Sequence, residues 1–290
     1  MNYEDGSETY RNARLRAADQ LRKAGIENEI SESEFLLEYA CGIDLNFYLL
    51  HQRDEMPREQ RLIFDELLEK RCYRIPLQYL TGEQEFMGLP FFVDEHVLIP
   101  RQDTELLVEE ALRILKDTEK HQMRVLDLCT GSGCIAVSLK KFCPEISVTA
   151  SDISAEALCM ARKNAERNGA DVMFVRSDLF SDLTGRFHMI VSNPPYIPTD
   201  VIPTLMPEVR DYEPRAALDG SADGLFFYRE ILEEADRYLF PGGRLLFEIG
   251  CDQGGAVSEL MRKKGYTEIE VVPDLQGLDR VVKGRRTEHV

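Results

Sequence analysis

The sequence has few positive charges for its length. Its 290 residues contain 35 Lys and Arg against 52 Asp and Glu, which gives a formal net charge of −17. A protein that grips a nucleic-acid backbone needs a broad basic field on its surface. The composition therefore argues against direct nucleic-acid binding. The one compact basic cluster, Lys283–Arg286, lies near the end of the chain, where we expect it to fray in solvent.

Cysteine is scarce, and its spacing does not indicate a metal site. There are seven cysteines, an odd number, without the paired spacing of zinc-binding motifs. Cys129 and Cys134 are close in the sequence, but no histidine stands near enough to complete a usual zinc pattern. We expect no metal. Unpaired, reduced thiols are typical of a cytoplasmic protein.

Long hydrophobic runs are missing as well. No apolar stretch approaches the length of a membrane-spanning helix. The residues Met1–Asp5 are polar and acidic, unlike a secretory signal peptide. We therefore expect a cytoplasmic protein without a membrane partner. Its hydrophobic fraction of 43% suits a globular chain of one large or two ordinary domains.

Residues 1–82 have the apolar spacing of three or four short amphipathic helices, which predicts a small helical bundle. Ser31 with Glu34 forms a possible capping box, and Pro57 is a candidate first residue of another helix. Such a bundle could serve packing or oligomerisation, or it could grip a macromolecular substrate. Its own sequence does not separate these alternatives.

Residues 83–102 are predicted to form a β-hairpin that links this bundle to a second domain, residues 103–290. The hairpin has Gly88 and Pro90 near its turn, and an extended segment follows it. From residue 123 onwards strands and helices alternate, which predicts an α/β fold with a mostly parallel sheet. Within this part, Pro241–Gly243 is predicted to be a turn before a further strand.

Two features of the predicted sheet indicate a nucleoside site. The first strand ends in the loop Cys129–Cys134, whose glycines permit a sharp turn and the close approach of a ligand. Asp152 ends the second strand, about twenty residues later, where a carboxylate can accept both hydroxyls of a ribose. Alternatively, Asp152 only stabilises the start of the next helix. The loop has no Lys or Arg to meet phosphates, as a P-loop would require.

The tetrapeptide Asn193–Tyr196 follows an apolar run that predicts a buried strand. Its two prolines end strand pairing and leave carbonyl oxygens without N–H donors. Asn193 adds an amide, and Tyr196 adds a flat aromatic face. Together they could receive a planar group that carries an NH2. The alternative is a proline-rich loop with a buried tyrosine.

These segments resemble the S-adenosylmethionine-dependent methyltransferases, and more closely the peptide chain release factor N5-glutamine methyltransferases. The segment Asp127–Gly133 resembles the cofactor motif, and Asn193–Tyr196 resembles the motif of enzymes that methylate amino groups on planar systems. Further likeness covers nearly the whole chain and lies in Pro76–Gly82, in Phe86, in Ile99–Arg101 with Thr104 and Glu105, and in Phe247–Gly250 with Gln253. The sequence departs from the family pattern at three positions. Cys129 stands where many members have Gly, Gln102 where many have Pro, and Leu179 where some have an aromatic residue.

The resemblance implies a Rossmann-like class I methyltransferase domain with a mostly parallel seven-stranded sheet, in a protein that methylates the glutamine of a release factor's Gly-Gly-Gln loop. We expect it to be a monomer. Its N-terminal domain would help to hold that substrate. By position, the resemblance assigns S-adenosylmethionine to Cys129, Thr130, Gly131, Ser132, Gly133, Asp152, Asp178, Leu179 and Asn193. It assigns the substrate amide to Asn193, Pro194, Pro195 and Tyr196, with Asn193, Pro194 and Tyr196 as the catalytic groups.

Two other functions stay open at this stage. A nucleic-acid base methyltransferase would flip a base onto Tyr196, and it would need a basic channel for phosphates. A non-catalytic module could have kept the fold alone. The acidic composition opposes the first alternative, and the combination of cofactor loop, Asp152 and Asn193 opposes the second.

Overall fold

The computed structural model describes residues 8–116 and 123–287. The chain divides into two compact units. The first runs to Gly82 and also takes in Pro207–Tyr212, and the second consists of Glu83–Met206 and Glu213–Val290. The polar N-terminal residues 1–7 lie outside the described residues. No helix of the described ranges is both long and apolar enough to cross a membrane.

The first unit is helical, as the apolar spacing predicts. Its helices are α1 (Tyr10–Lys23), α2 (Glu29–Cys41), α3 (Leu45–His51), α4 (Arg58–Cys72), α5 (Leu77–Thr81) and α9 (Pro207–Tyr212). The side chains of Thr9 and Asp44 cap α1 and α3 by accepting backbone N–H groups. Leu21, Leu36 and Phe64 are fully buried at the centre of the bundle. The burial of these apolar side chains holds the short helices together.

A buried ion cluster joins α9 to the rest of this unit. Glu208 of α9 accepts hydrogen bonds from Arg71 at 2.9 Å and from Arg74 at 2.6 Å. Arg71 also contacts Glu32 at 2.6 Å. Both arginines lower the pKa of Glu208 against the opposing effect of its burial. The short helix α9 is therefore anchored by charge rather than by an apolar face.

The second unit contains a seven-stranded sheet in the described part of the chain. Its strands are β3 (Arg124–Leu128), β4 (Ser147–Asp152), β5 (Val172–Arg176), β6 (Phe187–Ser192), β7 (Leu239–Glu248), β8 (Thr267–Pro273) and β9 (Asp279–Arg285). The order is β5-β4-β3-β6-β7-β9-β8, and the pairs from β5 to β7 are parallel. β9 pairs antiparallel with both β7 and β8. The predicted α/β class with a mostly parallel seven-stranded sheet is confirmed.

Helices cover both faces of this sheet. They are α6 (Gln102–Lys116), α7 (Cys134–Phe142), α8 (Ala155–Asn168), α10 (Phe226–Tyr238) and α11 (Gly254–Lys263). Val125 and Val191 face the core on the α6 and α7 side, whereas Leu126 and Ile190 face the core on the α10 and α11 side. This alternation explains why consecutive residues in the middle of β3 and β6 are apolar, as in a sheet buried on both faces.

The predicted hairpin is present as β1 (Glu83–Phe86) and β2 (Leu89–Phe92), which pair antiparallel. It packs on α8, where the Asn164 side chain bonds both the N–H and the carbonyl of Phe92. The hairpin thus belongs by its contacts to the second unit. The sequence division at residues 82 and 102 stays a prediction.

Four local predictions are wrong. Ser31 lies inside α2, which begins at Glu29, so Ser31 and Glu34 form no capping box. Pro57 precedes the first residue of α4 as its N-cap. Pro241–Gly243 lies inside the long strand β7. Lys283–Arg286 does not fray: Lys283 is buried in β9 and pairs with Glu110 at 2.6 Å and Glu270 at 2.9 Å. Opposite charges from two neighbouring elements give this basic segment an ordered place.

We expect Glu208→Ala to lower the free energy of unfolding of the first unit by about 2–4 kcal/mol, because it removes a carboxylate from two largely buried arginines. Urea unfolding checks this value. The matched control is Asp211→Ala on the same helix, which breaks an exposed pair with Arg210 and should cost under about 1 kcal/mol. Equal losses in the two variants would contradict the structural role given to Glu208.

Candidate active site

A cavity of about 590 Å³ opens at the carboxyl ends of the parallel strands of the second unit. This is where open α/β sheets bind ligands, and the volume suits a nucleoside-sized molecule. The predicted residues that line it are Cys129, Thr130, Gly131, Ser132, Asp152, Asp178, Leu179, Asn193 and Pro195. The structure thus brings together residues that lie more than sixty positions apart in the sequence.

Three predicted residues, all in the described part of the chain, do not line the cavity: Gly133, Pro194 and Tyr196. A Cβ at Gly133 would stand 2.9 Å from the Cβ of Ala161, so this glycine serves the close packing of α7 on α8. Pro194 is buried. Tyr196 packs its ring against the core on the α10 side of the sheet. The roles assigned to these three residues stay predictions.

The loop after β3 takes its shape from buried Asp127. Its Oδ2 accepts the Thr130 hydroxyl at 2.5 Å and the Ala136 N–H at 3.1 Å, which ties the loop to the start of α7. Burial raises the pKa of Asp127 to about 7, against the effect of these two donors. Cys129 adopts a left-handed backbone with a φ of 64°, a conformation in which glycine carries no Cβ penalty. Burial also raises the pKa of the Cys129 thiol, which therefore stays protonated.

Asp152 stands beside this loop at the end of β4. Its Oδ2 accepts the Gly131 N–H at 2.9 Å and its Oδ1 accepts the Ser154 N–H at 3.0 Å. Each oxygen keeps a further lone pair for a ligand in the cavity. Burial raises the pKa of Asp152, and the two backbone donors oppose that rise. The arrangement supports both readings of the sequence, since Asp152 lines the cavity and also receives an N–H at the start of α8.

Asp178 and Leu179 form the wall of the cavity near the end of β5. Leu179 has a φ of 46°, and its carbonyl accepts the Ser177 hydroxyl at 2.7 Å. The same hydroxyl accepts the Asp182 N–H at 3.0 Å. These bonds hold an apolar side chain and a carboxylate at the edge of the cavity. Ile153 and Phe227 add further apolar surface to the lining of the cavity.

The turn after β6 is fixed by hydrogen bonds to neighbouring elements. The Ser192 hydroxyl donates to the Leu128 carbonyl at 2.6 Å, which ties the end of β6 to the end of β3. The Tyr196 carbonyl accepts the Gln253 side chain at 2.9 Å. Gly224 packs so closely on that carbonyl that a Cβ would lie 2.3 Å away. The backbone between Asn193 and Tyr196 is therefore clamped from two sides.

The side chains of this turn meet a polar cluster that sequence reasoning did not assign to the site. Asn193 Nδ2 donates to Thr104 Oγ1 at 3.3 Å, and the Tyr196 hydroxyl donates to Glu248 Oε1 at 3.3 Å. Burial raises the pKa of Glu248 to about 7, and the Thr104 hydroxyl and Arg280 oppose that rise. Thr104, Glu248 and Gln253 stand in segments that carry the family resemblance. That resemblance was the only sequence signal for these three residues, and it did not indicate what they contact.

Comparisons with known proteins agree with this geometry. Residues 12–82 match the family model described as PrmC N-terminal domain, and residues 102–203 match the one described as methyltransferase small domain. A release factor glutamine methyltransferase of Geobacter sulfurreducens is 46% identical over 267 residues, which cover 91% of this chain and 92% of that protein. One of Moorella thermoacetica is 43% identical over 284 residues, with 97% and 99% covered.

Among solved structures, a methyltransferase of Pyrococcus furiosus is similar with a TM-score of 0.51 at 22% identity. The match covers 70% of this chain and 91% of that protein. At this identity the likeness concerns the fold alone, and it agrees with the predicted Rossmann-like sheet.

We expect stability to fall as the pH rises from about 4 to about 7, because buried Asp127 holds a proton in this window that an unfolded aspartate has released. One such group contributes at most about 1.4 kcal/mol per pH unit, and the contribution is flat above pH 7. Urea midpoints at pH 5.5 and 8 measure the fall. Asp127→Asn should make it shallower, whereas exposed Asp200→Asn should leave it unchanged. An unaltered slope in Asp127→Asn would contradict the protonation of this carboxyl.

Proposed function

The chain belongs to the release factor glutamine methyltransferase family, and from that premise we propose the reaction that it catalyses. It transfers a methyl group from S-adenosylmethionine to the side-chain amide nitrogen, N5, of a glutamine in a peptide chain release factor. The glutamine is the one in the Gly-Gly-Gln loop of class 1 release factors. The observation that carries the proposal is that Asn193 lines the same cavity as the glycine loop and Asp152.

The cavity has the chemistry that this cofactor needs. S-adenosylmethionine supplies an electrophilic methyl group on a positively charged sulfur. Gly131 has open space where a Cβ would stand, so a ligand can approach its backbone. Asp152 stands beside the loop and about twenty residues after it in the sequence, which is the spacing of a ribose-binding carboxylate. Asp178 and Leu179 provide a carboxylate and an apolar surface for the adenine end.

Asn193 is the group that we assign to the reacting amide. An amide nitrogen is a weak nucleophile, because its lone pair is delocalised into the carbonyl. Asn193 Oδ1 and the Pro194 carbonyl would accept the two amide hydrogens, hold the nitrogen in place and stabilise the positive charge that develops on it. Such alignment of two reactants lowers a barrier by ~7–11 kcal/mol in favourable cases. Pro195, which lines the cavity, would border the same amide, and we keep Tyr196 as a neighbour of that amide although its ring packs against the core.

The proposal extends to the substrate protein, the cellular location and the oligomeric state. The release factor is the macromolecular substrate, and the helical first unit is the part that we expect to hold it. We place the protein in the cytoplasm, where translation occurs, and we expect it to act as a monomer without direct nucleic-acid contacts. The acidic composition supports the last point.

The direct test uses the purified protein with S-adenosylmethionine and a release factor. We expect a mass increase of one methyl group on the loop glutamine, and none when that glutamine is replaced by alanine. Parallel reactions with RNA and DNA test the nucleic-acid alternative. Methylation of a nucleic acid, with the release factor unchanged, would overturn the proposed substrate.

We expect Asn193→Ala to lower kcat by about a hundredfold or more, which is the usual loss when one preorganised polar contact to a developing charge is removed. Cofactor affinity, measured by calorimetry, should stay within about threefold, because other residues supply most of the cofactor contacts. If affinity and turnover fell in parallel, the role given to Asn193 would be wrong.

Asp152→Ala should show the opposite pattern. The loss of a charged hydrogen-bond acceptor should weaken cofactor binding by about 10–100-fold. Turnover at saturating cofactor should remain much closer to the wild-type value than in Asn193→Ala. Calorimetry and steady-state kinetics on both variants make the comparison, and unchanged cofactor affinity in Asp152→Ala would exclude the ribose contact.

A further inference from the structure

Asn193 is useful as an acceptor only when its amide points in one of two directions. The side chain carries an oxygen on one side and an NH2 group on the other. In the structure, Nδ2 donates to Thr104 Oγ1 at 3.3 Å, and Asn193 lines the cavity. Thr104 is 2% exposed, on the first turn of α6. The direction of the Thr104 hydroxyl proton therefore determines whether Thr104 binds the NH2 group or the oxygen of the Asn193 amide.

A carboxylate stands behind Thr104. Glu248, at the end of β7, is 1% exposed, and its Oε1 accepts the Tyr196 hydroxyl. Its Oε2 is buried and accepts no hydrogen bond of ordinary geometry from the described residues. The Thr104 hydroxyl is nevertheless close enough to stabilise the charge on this carboxylate. Thr104 is thus the neighbour whose hydroxyl can supply the missing donor.

Burial raises the pKa of Glu248 to about 7, and Arg280 acts against that rise. Arg280 of β9 stabilises the carboxylate, and it is itself paired with Asp103 and Asp274 at 3.2 Å each. The Tyr228 hydroxyl donates to the Glu248 backbone carbonyl at 2.8 Å and so fixes the end of the strand. Of the two hydroxyls beside the Glu248 carboxylate, that of Tyr196 donates to Oε1, and that of Thr104 is the candidate donor to the unpaired Oε2.

We infer that Thr104 and Glu248 are positioning residues that set the direction of the Asn193 amide. When it is ionised, Glu248 draws the single hydroxyl proton of Thr104, so the Thr104 oxygen can only accept from Asn193. Asn193 must then offer its Nδ2 to Thr104, and its Oδ1 remains for the substrate amide. The inference rests on the proposed function, because it concerns the acceptor that this reaction requires. Thr104 lines the cavity and Glu248 does not, and in this proposal both act through Asn193.

A purely structural role for Thr104 would predict different behaviour. A buried threonine that only fills space could be replaced by valine, which has nearly the same shape, with little effect on turnover. A serine at the same place would leave a small void but keep the hydroxyl. Hydrogen-bond direction and packing are therefore separated by comparing Thr104→Val with Thr104→Ser.

The kinetic experiment uses the full chain, a release factor and saturating cofactor. We expect Thr104→Val to lower kcat about tenfold or more, and Thr104→Ser to stay within about threefold of wild type. Glu248→Gln should resemble Thr104→Val, because glutamine can donate an N–H to Thr104 and reverse the chain of donors. Cofactor affinity should change less than about twofold in all three variants. Ser138→Ala, which removes a buried hydroxyl outside this cluster, is the control and should leave kcat unchanged.

The double variant Thr104→Val with Glu248→Gln tests the coupling. If both residues act through one chain of hydrogen bonds, it should be no slower than the slower single variant. The inference would be overturned if the fold-loss of kcat in the double variant were the product of the two single losses. It would also be overturned if Thr104→Val kept the wild-type kcat, or if Thr104→Ser were as slow as Thr104→Val. Unfolding midpoints of each variant separate these outcomes from a loss of folded protein.

A second measurement needs no turnover. The side-chain amide protons of Asn193 can be assigned by NMR through their absence in Asn193→Asp. One of them should exchange slowly with solvent in wild type and in Thr104→Ser, and rapidly in Thr104→Val. Unchanged exchange in Thr104→Val would refute the inference even in an active enzyme. If wild type failed to methylate the release factor, the proposed function would fall, while this measurement would still decide how Asn193 is held.

Discussion

The site depends on the hydrogen bonds that hold the backbone after β6. Ser192 bonds the end of β3, and Gln253 bonds the Tyr196 carbonyl while Gly224 packs against it. These contacts come from three separate parts of the second unit. A turn with two prolines has few N–H groups of its own, so its position has to be set by donors from outside. The rigidity of this turn is what allows one amide side chain to face the cavity.

The sheet supplies the rest of the site through its order. Because β3, β4, β5 and β6 run parallel, their carboxyl ends meet at one edge, and each end contributes a different polar group. Two carboxylates, Asp127 and Glu248, are buried just below this edge and receive fewer hydrogen bonds than they could accept. Burying them incompletely paired is unfavourable for folding. In return, they fix the loop after β3 and face the polar cluster beside the turn.

Much of this arrangement follows from the sequence. Strand and helix alternation gives the parallel sheet, and the loop spacing places Asp152 and Asn193 at the same edge. The sequence could not show that Tyr196 packs in the core, because an aromatic side chain suits a core and a binding surface equally well. Nor could it show the contact of Thr104 with Asn193, since that contact joins residues far apart in the chain. Lys283 was misjudged for the same reason, because its acidic partners lie on other elements.

The assignment of α9 to the helical unit has a consequence for how this protein could have been assembled. The helical unit is discontinuous in sequence, because residues 207–212 return to it from within the other unit. A gene fragment that begins at residue 83 would therefore encode Glu208 without Arg71 and Arg74. A single crossover at residue 82 would divide the helical unit, so recombination between relatives would have to preserve acidic and basic partners that lie more than a hundred codons apart.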